Sequence, residues 1–307
     1  MSSTLRRRYN HADFDRARGT FHSEGLDEPL LSGDRDTGLT QGEIFDKRTN
    51  EAHMHWTLVF TQLIFQWAQW LGSIVGSSGS LIGRFLPLSI ANPNPPRVEL
   101  TLSPLQEERL RALQQRLGVP FDGSLEEHQE ALKLLWKLAF PTRELPSLKS
   151  VLWKEMGWQG TDPSTDFRGG GFISLQNLIF FAENYPSSFQ KLLHKTEGSR
   201  VEWEYPFAVA GINVSFMLTQ MLDLQTGKPS TASGARFLSL LADDAMTFDV
   251  LFCVAFEVMD AQWLSKKATY MEFNEVLKST KAQIEHELSI EDVCSVRDLP
   301  SYSLLRK

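Results

Sequence analysis

The chain has 307 residues, 42% hydrophobic and 22% charged, a composition that can bury the core of one large domain or of two modest ones. Its formal net charge of -7 at pH 7 excludes nucleic acid as the main partner, because neutralising phosphates requires a basic face. Two cysteines, Cys253 and Cys294, cannot form a disulfide framework in a chain of this length, which indicates a reducing compartment.

Residues 1–52 are polar and mixed in charge, and they show no periodic apolar face. Such a composition buries too little apolar surface to offset the entropy of ordering, so we predict a disordered tail. Met1 to Arg8 is polar and basic, and no apolar stretch follows within the first fifty residues. We therefore expect no secretory leader and a cytoplasmic location.

An apolar, Trp-rich segment follows at 53–83, and a Pro-rich linker continues to residue 96. The apolar part has about the length of a membrane span, about 20 residues. However, Gln62, Gln66 and Gln69 share one helical face and would be costly in hydrocarbon. We interpret 53–83 as a core or partner-covering helix. A Trp-anchored interfacial helix, in peripheral contact with endomembranes or the plasma membrane, is the second alternative, and a true span is the third.

Beyond the linker, capping signals mark the starts of helices. Ser103 and Gln106 form a capping box with Pro104 at the first helical position. Ser124 and Glu127 form a second box, which opens a helix closed by Pro141. Ser147 is predicted to cap a third helix that runs into Trp153.

Helical periodicity continues to residue 290. Further helices are predicted at 174–183, 187–195, 205–224, 246–265 and 270–288. Alternating patterns typical of strands are scarce, and 97–102 is the one fair candidate. The sequence therefore predicts a mainly α fold, with one compact multi-helix domain at 97–290 and a C-terminal tail at 291–307.

Motifs for self-contained chemistry are missing from the sequence. It has no GxxxxGK[ST] loop for nucleotide phosphates and no nucleophile elbow, and the pair His53 and His55 has no further ligand nearby. Glu257 and Asp260 share a helical face, where a carboxylate pair is conceivable but a helix-edge pairing with Lys or Arg is far more common. We therefore expect no metal, no cofactor and no active site of the chain's own.

One glycine-rich segment differs from the rest, and we call 153–171 the signature segment. It lies between two predicted helices and ends in Gly169, Gly170 and Gly171, shortly before Ser174. Glycine allows close backbone approach, and a helix beginning at Ser174 would favour negative charge at its N-terminus, so Arg168 is placed for anion recognition. The residues alone favour the alternative, in which Asp166 and Arg168 pair with neighbours and fix a buried corner.

The signature segment resembles that of the ELMO domain, which reads roughly W, three residues, G, aromatic, Q, three residues, P, one residue, T-D-F-R-G, one residue, G. The matching positions are Trp153, Gly157, Gln159, Pro163, Thr165, Asp166, Phe167, Arg168, Gly169 and Gly171. The resemblance covers roughly 121–288 and includes Asn177 in the run that follows the segment. Two departures are Trp158, where Phe or Tyr is expected, and the additional glycine Gly170.

The resemblance implies a function. Small ELMO-domain proteins resemble GTPase-activating proteins for Arf and Arf-like GTPases, and the chain has no room for the armadillo-like and PH regions of the larger engulfment and motility proteins. It is therefore expected to act in trans on a GTP-bound Arf-family GTPase in membrane trafficking, with Arg168 as the catalytic residue. The residues expected to bind the GTPase or support the motif are Trp153, Gly157, Gln159, Pro163, Asp166, Phe167, Gly169, Gly171 and Asn177. The alternative is a non-catalytic scaffold that recruits a small GTPase or its exchange factor to membranes.

Overall fold

The computed structural model describes residues 101–194, 205–225 and 227–306. The predicted tail at 1–52, the apolar helix at 53–83 and the linker to residue 96 lie outside these residues. Thr101 and Leu102, the described end of the strand candidate 97–102, are not in a strand.

Helices account for the regular structure of the described residues, which contain no strand, and the mainly α prediction is confirmed. The α-helices are α1 (Pro104–Leu117), α2 (Glu126–Ala139), α3 (Gly171–Asn184), α4 (Pro186–Leu193), α5 (Phe207–Met221), α6 (Ala232–Leu241), α7 (Thr247–Lys266) and α8 (Phe273–Leu288). Short 3-10 helices lie at Val151–Met156, Pro163–Thr165, Tyr270–Glu272, Val296–Asp298 and Pro300–Arg306.

Helices α3, α5 and α7 pack against one another in the centre of the described residues. Most of their side chains are buried, including thirteen of the fifteen in α5. A helix that is apolar on all sides must be covered on all sides, which explains why α2 packs on α3 and α8 packs on α7. Within the described part of the chain, no helix has both the length and the hydropathy needed to cross a bilayer.

The first predicted capping box is confirmed. The Gln106 amide donates to Ser103 Oγ at 3.3 Å, and the Ser103 amide donates to Gln106 Oε1 at 2.9 Å. Two free N–H groups at the start of α1 are thereby satisfied, and Pro104 occupies a position where no N–H is needed.

The other two capping predictions are wrong, because the serines bond to nearer groups. The amide and hydroxyl of Ser124 both donate to Asp122 Oδ1, at 2.8 and 2.7 Å, and α2 begins only at Glu126. The Ser147 hydroxyl donates to the Lys149 carbonyl instead of capping a helix. Ser150 caps the 3-10 helix that contains Trp153. Short polar side chains readily form such local bonds in turns, which compete with capping.

Helix α6 was not predicted, because its first turn is Ala-Ser-Gly-Ala and shows no apolar periodicity. Its start is nevertheless signalled by Thr231, whose hydroxyl accepts a hydrogen bond from the Gly234 amide at 3.0 Å.

Residues 291–307 are predicted to form a C-terminal tail, but their described part, 291–306, packs against α7 and α8. Its buried side chains are Val293, Val296, Leu299, Tyr302 and Leu305. The buried Glu287 carboxylate of α8 accepts hydrogen bonds from the amide and the hydroxyl of Ser301. The packed body therefore extends beyond residue 290.

Candidate functional site

The signature segment begins in a buried 3-10 helix. Trp153 is fully buried, and its indole Nε1 donates to the Leu148 carbonyl at 3.0 Å. Gly157 ends this helix with φ at +86°, and a Cβ at this position would lie 2.4 Å from the Phe207 backbone nitrogen. Both the left-handed backbone and the contact with the start of α5 therefore require glycine. These two residues support the fold of the segment.

The middle of the segment closes on the carboxylate of Asp166. Pro163 is buried at the start of a 3-10 helix, and Asp166 follows that helix. Asp166 Oδ2 accepts a hydrogen bond from the Gln159 amide at 2.9 Å, and Oδ1 accepts one from Thr165 Oγ1 at 3.3 Å. Gln159 therefore supports the loop through its backbone, while its side chain is exposed. The predicted pairing of Asp166 with a neighbour is found, but the partners are neutral.

Burial raises the pKa of Asp166 from 3.8 to about 6. Between pH 3.8 and about 6, the folded state keeps a proton that the unfolded state has already lost. The resulting contribution of Asp166 to stability is therefore fully present below pH 3.8 and is lost as the pH rises through about 6. At 1.36 kcal/mol per pKa unit, the loss is at most on the order of 3 kcal/mol.

We expect Asp166→Asn to raise the melting temperature relative to the native chain at pH 7 by several degrees, and to give little or no gain at pH 4. The amide is neutral at both pH values, and its oxygen can still accept the Gln159 N–H. Thermal unfolding from pH 4 to 8 measures this difference. Asp122→Asn is the control of opposite sign, because bonds from Ser124 lower the pKa of Asp122. A difference for Asp166→Asn that does not change with pH would contradict the assignment.

Phe167 fixes the backbone just before Arg168. It is buried, and its ring stacks on Phe121 with centroids 4.2 Å apart and planes 17° from parallel. Trp158 also packs on Phe167, with the two ring centroids 5.2 Å apart. The larger indole at this departure from the motif is therefore buried inside the segment, and its Nε1 has no hydrogen-bond partner among the described residues.

Arg168 is exposed, in contrast to its neighbour Phe167. Within the described residues its guanidinium makes no hydrogen bond and no ion pair, so the expected pairing of Arg168 with a neighbour is not found there. Gly169 follows with φ at +86°, which turns the chain sharply toward α3. The backbone at Arg168 is therefore held by its surroundings, while the charged head is left to solvent.

Helix α3 does not begin at Ser174, where the sequence predicts its start. The helix begins three residues earlier, at Gly171, and the Ser174 hydroxyl is buried and donates to the Gly171 carbonyl. The amides of Gly170 and Gly171 both donate to the Phe167 carbonyl at 3.1 Å. The first amides of α3 therefore already have partners within the chain and are not free to bind an anion.

The segment's exit is fastened to the loop after α1. The Phe172 amide donates to the Val119 carbonyl at 2.9 Å. Gly171 has φ at +64°, and a Cβ there would lie 2.9 Å from the same carbonyl oxygen. Both the left-handed backbone and the contact with Val119 therefore require glycine at position 171.

Asn177 lies inside the helical body and is fully buried. Its Nδ2 donates to Asp249 Oδ1 at 2.9 Å, and its Oδ1 accepts from the Ser215 hydroxyl at 2.8 Å. Arg116 binds the same Asp249 carboxylate through two guanidinium nitrogens, at 2.8 and 3.0 Å. Sequence reasoning missed Arg116, Ser215 and Asp249. A signal for Asp249 was present, because a carboxylate in the apolar run of α7 requires partners when it is buried.

Glu257 and Asp260 are both buried in α7 and do not lie at its exposed edge. The Asp260 carboxylate accepts a hydrogen bond from the Tyr205 hydroxyl at 2.9 Å. Neither residue belongs to the signature segment. No group of three or more His, Cys, Asp or Glu side chains among the described residues is arranged to hold a metal ion.

Comparison with known proteins agrees with the motif. The ELMO/CED-12 family model matches residues 111–277, which is more than half of the chain. "ELMO domain-containing protein A" of Dictyostelium discoideum is 34% identical over 205 residues, 61% of this chain and 21% of that protein. "ELMO domain-containing protein 2" of Homo sapiens is 40% identical over 103 residues, 34% of each chain. "ELMO domain-containing protein 1" of Mus musculus is 32% identical over 193 residues, 57% of each chain. These alignments span between about a fifth and somewhat over half of the relatives' length.

Proposed function

The chain belongs to the ELMO/CED-12 family, and on that premise we propose that it is a GTPase-activating protein for an Arf or Arf-like small GTPase. It acts in trans on the GTP-bound form of its partner. The observation that carries the proposal is the exposed Arg168 guanidinium, which has no partner among the described residues and stands on a backbone fixed on both sides.

The chemistry of arginine suits this role. GTP hydrolysis spreads negative charge over the oxygens of the transferred phosphoryl group, and catalysis depends mainly on positioning and on stabilising that charge. A guanidinium is permanently charged and can bridge two phosphate oxygens, which a compact ammonium group does not do.

The local geometry also favours an external target for Arg168. A pairing inside the chain would lower the benefit of inserting this side chain into another protein, because that pairing would first have to be broken. Phe167 is stacked on Phe121, and Phe172 is bonded to Val119, so little backbone ordering remains to be done when a partner binds. A site prepared in this way loses less entropy at the moment of reaction.

A single-turnover assay tests the proposal. Arf and Arf-like GTPases are loaded with GTP, and phosphate release is followed with and without the full chain. We expect faster hydrolysis with at least one member of the panel, and binding that is stronger for the GTP-bound form than for the GDP-bound form. A GTPase that binds but is not accelerated would favour the scaffold alternative. The absence of both effects across the panel would overturn the proposal.

A further inference from the structure

An ion pair between Arg116 and the buried Asp249 joins helices that are distant in sequence. The Asp249 side chain is 2% exposed and the Arg116 side chain is 33% exposed. Arg116 lies in the last turn of α1, and Asp249 lies in the first turn of α7. Asp249 also accepts from Asn177 of α3, and Arg116 Nε donates to Gln176 Oε1 of α3 at 3.3 Å. The pair therefore fixes the end of α1 against both α3 and α7.

Stability alone is a weak explanation for this arrangement. Burying the Asp249 carboxylate costs desolvation energy, and replacing a buried ion pair with uncharged groups of similar size is often neutral or stabilising. Removing only one partner is costly, because the other charge is then left without compensation. A half-buried ion pair in such a place calls for a role besides stability.

The geometry next to the pair supplies that role. Three residues after Arg116, the Val119 carbonyl accepts the Phe172 amide. Two residues further on, Phe121 stacks on Phe167. Phe167 directly precedes Arg168 in the chain, and Phe172 follows Arg168 by four residues. Two supports of the Arg168 backbone therefore come from the segment 119–121, and Arg116 fixes the helix end that precedes this segment.

We infer that Arg116 and Asp249 are a positioning pair that sets the orientation of Arg168 toward the phosphates of the bound GTPase. The inference rests on the proposed function and identifies residues that act through Arg168 without touching the nucleotide. Positioning of this kind affects rate strongly, because a displacement of about 1 Å caused by a distant substitution costs about 10²-fold. The pair also accounts for the burial of Asn177, which holds the same carboxylate from α3.

The test compares a single with a double substitution in the full chain. Arg116→Met leaves the Asp249 carboxylate buried without its counter-ion, so we expect a lower melting temperature and a lower hydrolysis rate at saturating activator. Arg116→Met with Asp249→Asn removes both charges and keeps an acceptor for Asn177. We expect this double variant to recover most of the melting temperature but to remain about 10²-fold slow at saturation. Arg116→Lys keeps the charge without the two parallel bonds and should recover part of the rate.

A second measurement does not depend on any GTPase. Hydrogen exchange of the backbone amides at 169–173 reports whether the supports of Arg168 are in place. We expect faster exchange there in the double variant, with unchanged exchange in the rest of α3. A double variant with native exchange at 169–173, or one that recovers the rate together with the melting temperature, would overturn the inference. If the native chain accelerates no GTPase, the proposed function fails, and the exchange measurement still decides whether the pair positions the segment.

Discussion

Arg168→Lys is expected to lose most of the GTPase activation, on the order of 10³–10⁵-fold if the side chain acts as an arginine finger. Lysine keeps the positive charge but offers one compact group in place of a planar fork, so it cannot bridge two phosphate oxygens in the same way. Because Arg168 makes no bond within the described residues, neither this variant nor Arg168→Ala should lower the melting temperature by more than about a degree. Single-turnover phosphate release and thermal unfolding, measured on the same preparations, check both parts.

Arg297 is a matched control on the same molecule. It is exposed, and it belongs to the C-terminal segment whose Tyr302 ring packs on Tyr185, at the C-terminal end of α3. Helix α3 has 14 residues, so this end is about 20 Å from the signature segment. Arg297→Lys should keep full activation. If Arg168→Lys and Arg168→Ala both stay folded and fully active, the catalytic assignment is wrong. If both melt at a much lower temperature, Arg168 is a structural residue and the scaffold alternative gains support.

Much of the helical framework is readable from the sequence, because it depends on local patterns. The run from Thr247 to Lys266 is mostly apolar and contains no Gly or Pro, so a long helix is predicted at 246–265, within one residue of the observed helix at either end. Ser103 was predicted as a cap because the motif satisfies backbone groups within four residues. The same reasoning failed at Ser124, where Asp122 is an equally local partner, and a local pattern does not decide between two local partners.

In the candidate site, too, the local motif is readable from the sequence, whereas the long-range contacts are not. Gly157 and Gly171 belong to a recognisable motif, yet the reason for each glycine is a contact with Phe207 or Val119, residues outside that motif. Arg116 and Asp249 are 133 positions apart in the chain, and no spacing rule connects residues at such a separation. Arg168 was recognised through the motif, whereas its lack of a partner in the described residues became apparent only from the packing around it.

A chain ending at residue 290 should fail to fold stably, although the helices of the signature segment and its supports are all retained. The truncation removes the buried side chains of the segment after α8, each of which contributes about 1.5–3 kcal/mol when it is fully buried. Their combined contribution is comparable with the whole stability of a typical domain, about 5–15 kcal/mol.

Polar interactions add to this loss when the chain is cut at residue 290. The Glu287 carboxylate would lose both hydrogen bonds from Ser301, and Arg236 would lose the carbonyls of Glu291 and Val293. Far-UV circular dichroism and thermal unfolding of the full and truncated chains measure the effect. In the full chain, Leu299→Ser should lower the melting temperature strongly, whereas Ser303→Ala, at an exposed position of the same segment, should change it little. A truncated chain that melts within a few degrees of the full chain would contradict this prediction. Helices α1 to α8 would then be sufficient for a stable fold, without the cover that 291–305 provides for the apolar surface of α7.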